Sequence, residues 1–427
     1  MNVILVIPNS SYRFETNSYF SIESLGAAVL SGAFKEKGHC TRVVDAYALD
    51  LTALEVAAIA TEDLDSRSVI CLSFMQHTTS EASLIATEIR KIAPMAVIIG
   101  GGWGPTMAPA ITKEVLSDID IIVVGGDVIS IVELVCESLS QPNATAKYSI
   151  VNTNMSLPTY QYFKQLGKAY HYILHDDDYE GVRKIPIPII SSIGCSWGRC
   201  TFCSTAARWG RGAWCGNNAE NIVDELTELV ERYEIKRVSF VDDSFFGPNI
   251  QGFRRAQSFV HLMKRAALPI SFMLDCCVGD FDNRLFSELV DVGLSAVFIG
   301  IENISSDVLK RFGKKSDDIA IANTIEAIRE LGIEIIPGYI TFDPYMTIEE
   351  AIDSVQFIEE TFPEISEEKL FNEIIPHVGT EYFSRLERDH MLRGKYPNYG
   401  IFYRDAKVWE YKNALQNAVI KKKRLQL

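Results

Sequence analysis

No stretch of this 427-residue chain approaches the roughly 20 consecutive apolar residues a helix needs to cross a bilayer, although 47% of its residues are hydrophobic. Positive charge is scarce: 41 Lys and Arg stand against 56 Asp and Glu, a net charge of −15. That balance excludes a broad nucleic-acid surface, and the one basic block, Lys421-Lys422-Lys423-Arg424, reads as a solvated tail. Met1-Asn2-Val3-Ile4-Leu5-Val6-Ile7-Pro8 has neither a basic leader nor a small-residue cleavage site and is expected to be a first strand. No partner membrane and no nucleic acid are therefore expected. Nine cysteines, an odd number and mostly scattered, argue against a disulfide framework and for a reducing cytoplasm. A second paired C-x2-C motif is missing, which disfavours a structural zinc site; Cys215 would be the nearest fourth ligand.

What the chain does have is Ser192-Ile193-Gly194-Cys195-Ser196-Trp197-Gly198-Arg199-Cys200-Thr201-Phe202-Cys203, three cysteines within nine residues. The stretch follows the apolar run Ile185-Pro186-Ile187-Pro188-Ile189-Ile190, which reads as a buried strand. The cysteines then lie on a loop leaving a strand, where parallel α/β architectures place their chemistry. Three clustered thiolates can hold three irons of a 4Fe–4S cluster and leave the fourth open.

The C-x4-C-x2-C spacing, with the aromatic Phe202 before the last cysteine, resembles the cluster loop of the radical S-adenosylmethionine superfamily, whose usual first gap is one residue shorter. The resemblance implies that Cys195, Cys200 and Cys203 hold the cluster, that the open iron chelates the cofactor, and that an external donor such as flavodoxin or ferredoxin supplies the electron.

Residues 1–140 alternate short apolar runs with helical patterns, which predicts a doubly wound, Rossmann-like parallel sheet. Five strands are expected, at Val3–Pro8, Thr41–Asp45, Ser68–Phe74, Ala96–Gly100 and Asp120–Val124. Ligands of such sheets bind beyond the carboxyl ends of the strands. Those ends carry Ser73, the run Gly100-Gly101-Gly102-Trp103-Gly104-Pro105-Thr106, and Gly125-Gly126-Asp127; glycines there permit close approach of a bulky ligand. The region resembles the cobalamin domain of class B radical S-adenosylmethionine enzymes. Gly101, Gly102 and Thr106 match its Gly-Gly-x-x-x-Thr motif, whereas Gly125-Gly126-Asp127 replaces its second, acidic loop. The resemblance implies a cobalamin site at Ser73, Gly101, Gly102, Thr106, Gly125 and Gly126. With no D-x-H-x-x-G motif, no histidine is marked as a lower cobalt ligand, and His77 reads as a hydrogen-bonded loop residue.

Residues 141–185 show little periodicity and read as a linker. In residues 186–375 the βα rhythm resumes, with Asn218 capping a helix striped by Ile222, Leu226, Leu229, Val230 and Tyr233. Strands are expected at Arg237–Val241, Ile270–Leu274, Ala296–Ile301, Ile333–Thr341 and Lys369–Ile375. With the strand before Cys195 these make six units, a partial (βα)6 TIM barrel of the radical S-adenosylmethionine type. By the same resemblance, Phe202, Asp242, Asp243, Glu302 and Asn303 contact S-adenosylmethionine; for the two aspartates a cap or turn role is the competing reading. Cys276 and Cys277 are candidates for hydrogen-atom donation, against the commoner fate of inert buried cysteines. Residues 376–427 are expected to form a small cap over the barrel mouth.

The resemblance implies a cobalamin-dependent radical enzyme methylating an unactivated carbon of a small-molecule or peptide substrate. Rearrangement, ring contraction, epimerisation or cyclisation on the same scaffold stay open, as does a metal-stabilised binding protein without turnover.

Overall fold

The computed structural model describes residues 1–10, 25–125, 128–140, 149–152 and 186–426. Its first body is a six-stranded, wholly parallel sheet of order β2-β1-β3-β4-β5-β6. The strands are β1 (Asn2–Ile7), β2 (Cys40–Asp45), β3 (Ser68–Ser73), β4 (Val97–Gly101), β5 (Ile121–Val124) and β6 (Ser149–Asn152). Five were expected; the sixth comes from the stretch read as linker and pairs with β5 over Ile121–Val124. The helices between them are α1 (Leu25–Glu36), α2 (Ala46–Leu49), α3 (Ala53–Thr61), α4 (Thr79–Ile92), α5 (Trp103–Met107), α6 (Pro109–Val115) and α7 (Val128–Ser140). Between β4 and β5 the helical segment is broken into α5 and α6, because Pro109 opens α6 and has no N–H to continue α5. Both faces of the sheet are covered: Val3, Leu5, Val43 and Ile99 pack in one core, Ile4, Val6, Val44 and Ile98 in another.

The second body is a five-stranded parallel sheet of order β13-β12-β11-β10-β7. Its strands are β7 (Ile187–Ile189), β10 (Arg237–Phe240), β11 (Ser271–Cys277), β12 (Leu294–Glu302) and β13 (Glu334–Tyr339). The sixth barrel strand expected at Lys369–Ile375 does not form. A 3₁₀ turn occupies Glu367–Phe371, and only a single parallel bridge, Phe342 to Glu373, continues the wall. Pro376 follows directly and lacks the N–H that a longer ladder needs. Between β7 and β10 a small antiparallel hairpin, β8 (Ser192–Gly194) with β9 (Trp214–Gly216), steps out of the sheet.

Helices α8 (Ser204–Trp209), α9 (Ala219–Tyr233), α10 (Asn249–Ala266), α11 (Asn283–Val290), α12 (Ser306–Phe312), α13 (Asp318–Glu330) and α14 (Ile348–Thr361) belong to this body. Asn218 does cap α9, accepting from the Asn221 N–H at 2.8 Å. Its stripe is buried at Ile222, Leu226 and Leu229 and half-buried at Val230 and Tyr233. Burying each of the first three contributes roughly 1.5–3 kcal/mol.

Alternation along the strands separates two faces. Phe272, Leu274, Val297 and Ile299 point outward to the helices, whereas Met273, Ala296, Phe298 and Ile336 form a separate inner cluster. The chain ends in α15 (Glu381–Arg388), the hairpin β14 (Leu392–Lys395) with β15 (Asn398–Ile401), and α16 (Ala406–Gln426), the helix that carries the basic block. Among the described residues no helix is long and apolar enough to cross a membrane.

Candidate active site

The cysteine loop runs from β8 to β9, and backbone geometry determines its course. Gly194 sits at φ +84° with space for no side chain: a Cβ there would lie 2.1 Å from the Ala213 carbonyl oxygen. Gly198, at φ +52°, packs as tightly on Gly212 N at 2.3 Å. The far side of the loop is stapled to the end of α12. Trp197 Nε1 donates to Gly313 O at 2.9 Å, Thr201 N to Phe312 O at 2.9 Å, and Thr201 Oγ1 to Arg311 O at 3.0 Å. Phe202 packs edge-on against Phe312, ring centroids 5.1 Å apart. Tyr382 N, in α15, donates to Thr201 O at 2.8 Å.

Cys195, Cys200 and Cys203 are all half-buried and free. The Cys277 thiol and the backbone N–H groups of Gly198 and Trp197 hydrogen-bond Cys195 and bring it down to about 6 against the cost of burial. Burial pushes Cys200 up to about 12, with Lys314 pulling the other way. No three acidic, His or Cys side chains among the described residues converge on one point as a single metal ion requires. A cuboidal cluster makes no such demand, since each thiolate binds a different iron. Three thiols on one glycine-shaped loop, N–H donors aimed at a sulfur and a buried cation alongside fit a cluster and disfavour zinc.

That cation is Lys314, whose Nζ lies 2.8 Å from Glu302 Oε1. Burial alone would depress the ammonium, but Glu302, with Cys277 and Cys200, holds it well above its usual range. Gly300 makes room for the pair, since a Cβ there would stand 2.9 Å from Glu302 Oε1 and 3.1 Å from Lys314 Nζ. Glu302, at φ +66°, thus sits on the inner face beside the cysteines.

Three expected cofactor contacts are otherwise employed. Asp242 is buried and accepts from Ser191 N at 2.6 Å, Ser191 Oγ at 2.5 Å and Ser192 N at 2.9 Å. Asp243 accepts from Gly194 N at 3.0 Å, Thr205 Oγ1 at 2.6 Å and Arg208 Nη2 at 3.2 Å. These aspartates tie the end of β10 to the cysteine hairpin and to α8. Asn303, with no exposure, spends its amide on Ile340 O and Ser354 Oγ, both at 3.0 Å, and accepts from Ser305 N at 2.9 Å. The two adjacent cysteines part company: Cys276 points outward into the helix-packed core, while Cys277 reaches Cys195 on the inner face. Cys276 is therefore removed from the donor candidates.

In the first body, Ser73 and Gly101 are register partners at the ends of β3 and β4. A Cβ on Gly102, at φ +101°, would lie 2.6 Å from Phe74 O, and one on Gly104 2.9 Å from Met75 C. These two glycines serve the chain's own close packing. Gly101 has only Val123 Cβ near, at 3.9 Å, and leaves an open approach. Thr106 Oγ1 accepts from Gly125 N at 3.1 Å, joining the loops after β4 and β5. Gly126 lies outside the described residues. His77 and His377 are close enough to interact, and burial lowers both.

The two bodies meet through these loops. The Arg208 guanidinium, five residues after Cys203, lies 4.2 Å from the Trp103 ring centre, and Trp103 packs edge-on against Trp209 at 5.4 Å. Sequence reasoning missed both Arg208 and Lys314. Neither carries a local motif.

Residues 189–358 match the Radical SAM superfamily. An uncharacterized methyltransferase of Pyrococcus horikoshii is 23% identical over 402 residues, 92% of this chain and 84% of that protein. The hopanoid C-2 methylase of Rhodopseudomonas palustris is 26% identical over 172 residues, 40% of this chain and 32% of the methylase. Among solved structures, the cobalamin-dependent S-adenosylmethionine radical enzyme OxsB, with aqua-cobalamin and S-adenosylmethionine bound, superposes with a TM-score of 0.67 at 16% identity. The match covers 97% of this chain but 66% of OxsB, just under two thirds. The radical S-adenosylmethionine methyltransferase TsrM of Kitasatospora setae, with cobalamin and a 4Fe–4S cluster, gives 0.60 at 17% identity over 84% of this chain and 70% of its own. Residues 189–358 are a radical S-adenosylmethionine domain, and the chain has the two-sheet fold of the cobalamin-dependent enzymes OxsB and TsrM.

Proposed function

We propose that this protein is a cobalamin-dependent radical S-adenosylmethionine methyltransferase acting on an unactivated carbon of a small-molecule or peptide substrate. The observation that carries the reading is the seam at Trp103 and Arg208, where the loops beyond the strands of both sheets converge. A pairing of two cofactors on one substrate needs that convergence. The methyltransferase of Pyrococcus horikoshii, similar over 92% of this chain, supports it.

When bound, the cluster with S-adenosylmethionine would supply a 5′-deoxyadenosyl radical, and cobalamin a methyl group. Cys195, Cys200 and Cys203 would hold the cluster, and Phe202 packs behind it. Asp242 and Asp243 position the loop from below. Glu302 and Lys314 form the charged wall beside it. Gly101 gives the open approach in the first sheet, with Ser73, Thr106 and Gly125 framing it. Trp103, Trp209 and Arg208, packed together at the seam, would limit access of water to the reacting carbon.

The test is anaerobic reconstitution with iron, sulfide and hydroxocobalamin, followed by desalting, metal assay and incubation with S-adenosylmethionine and a strong reductant. About four irons and one cobalt per chain, with 5′-deoxyadenosine released, is the expected result. Iron without cobalt would retire methyl transfer from cobalamin. Neither metal on folded protein would overturn the whole reading.

A further inference from the structure

The inner face of the second sheet carries a group that neither the fold nor the cluster loop accounts for. Asp275 lies on β11 between Met273 and Cys277, and strand alternation turns all three to the interior. Its Oδ1 is covered yet has no hydrogen-bond partner among the described residues, while the residue as a whole keeps some exposed surface. On the neighbouring strand, Ser239 is the register partner of Met273, and its hydroxyl is buried and unpaired as well. Buried polar atoms without partners are rare in folded proteins, and two on one face indicate a polar occupant.

Charge identifies the occupant. The charges acting on Asp275 are those of Asp242 and Asp243, both negative. The Arg255 charge works against the burial of Asp242, and Arg208 pairs with Asp243 at 3.2 Å. Asp275 is left as the uncompensated acid, and burial with those two neighbours pushes its carboxyl well above the usual range. An incoming cation would restore the carboxylate and pair with it.

We propose that Asp275, with Ser239 beside it, binds a primary ammonium group of the substrate inside the barrel, anchoring one end while the reacting carbon is presented at the mouth. The proposal rests on the radical-enzyme reading above. A substrate is favoured over the cofactor's own ammonium because Asp275 lies two residues, about 7 Å, back along β11 from Cys277, the residue that touches the cluster loop.

The test uses reconstituted, S-adenosylmethionine-loaded protein and two matched probes, n-hexylamine and n-hexanol, titrated by calorimetry. Wild type is expected to bind the amine about tenfold more tightly than the alcohol, the margin a charge-assisted hydrogen bond adds. In D275N that preference should fall to about twofold or less, with melting temperature and S-adenosylmethionine affinity matching wild type. No preference in wild type, or no measurable amine binding, overturns the proposal without reference to any variant. So does a preference that survives D275N. Weakened S-adenosylmethionine binding in D275N would move the contact to the cofactor and overturn the substrate assignment. Failure of wild type to bind iron or S-adenosylmethionine would instead sink the underlying reading.

Discussion

Lys314 and Glu302 show how a single pair holds the interior of this site. Both are largely removed from solvent, and removing one partner of such a pair leaves the other charge uncompensated. K314M is expected to cost about 3–5 kcal/mol, and K314M combined with E302Q to recover most of it, as read by denaturant unfolding. A second residue-scale prediction concerns Glu225 on α9, whose Oε1 has no hydrogen-bond partner among the described residues. Burial, with Glu228 adding to it, raises its carboxyl from 4.5 to about 8. Because the folded value is the higher, the folded state keeps a proton that the unfolded chain releases between those values. The contribution is full below pH 4.5 and is lost as pH rises through about 8. Wild type should lose stability across that window, and E225Q should flatten the profile; equal slopes in thermal melts from pH 5 to 8 would refute this.

At the scale of elements, the β8–β9 hairpin and its loop are positioned by glycine rather than by side-chain packing. G194A forces a positive φ on alanine, a strain of about 1–3 kcal/mol, and drives its Cβ into Ala213 O. It should lower both the melting temperature and the iron retained after reconstitution. G279A, with nothing within 4 Å of its Cβ, should leave both near wild type. The cysteine loop was legible in the sequence because its three cysteines are neighbours in the chain, separated by fixed, short spacings. The sixth barrel strand was not, because Leu370, Phe371, Ile374 and Ile375 by themselves do not reveal that Pro376 and the turn at Glu367–Phe371 will deny it a ladder.

Across the whole molecule, the C-terminal segment does more than cover a barrel. Gln76, in the loop after β3, donates to Pro376 O at 3.1 Å and Pro397 O at 3.4 Å, and accepts from Val378 N at 3.0 Å. Tyr396 adds bonds to Thr79 and Thr112, and Val378, Phe383 and Tyr396 share an apolar cluster with Ala108. The segment therefore clamps the first sheet's loops to the second body. Q76A leaves three partners unmet, at about 1–3 kcal/mol, and should speed amide hydrogen exchange around residues 376–399 and 74–79 while exchange in β11 and β12 is unchanged.

Periodicity, glycine and cysteine spacing, and charge balance were properties of the sequence alone, and they determined the two βα bodies, their order and the place of the three-cysteine loop. All of these are written in residues close together in the chain, where alternation and spacing act directly. Tertiary structure decided which of Cys276 and Cys277 faces the interior, that Asp242 and Asp243 brace a hairpin some 50 residues upstream, and that Glu302 meets Lys314. It also left Asp275 without a counter-charge among the described residues. Those outcomes depend on burial and on which distant groups arrive at the same place, and a chain carries no local mark of either.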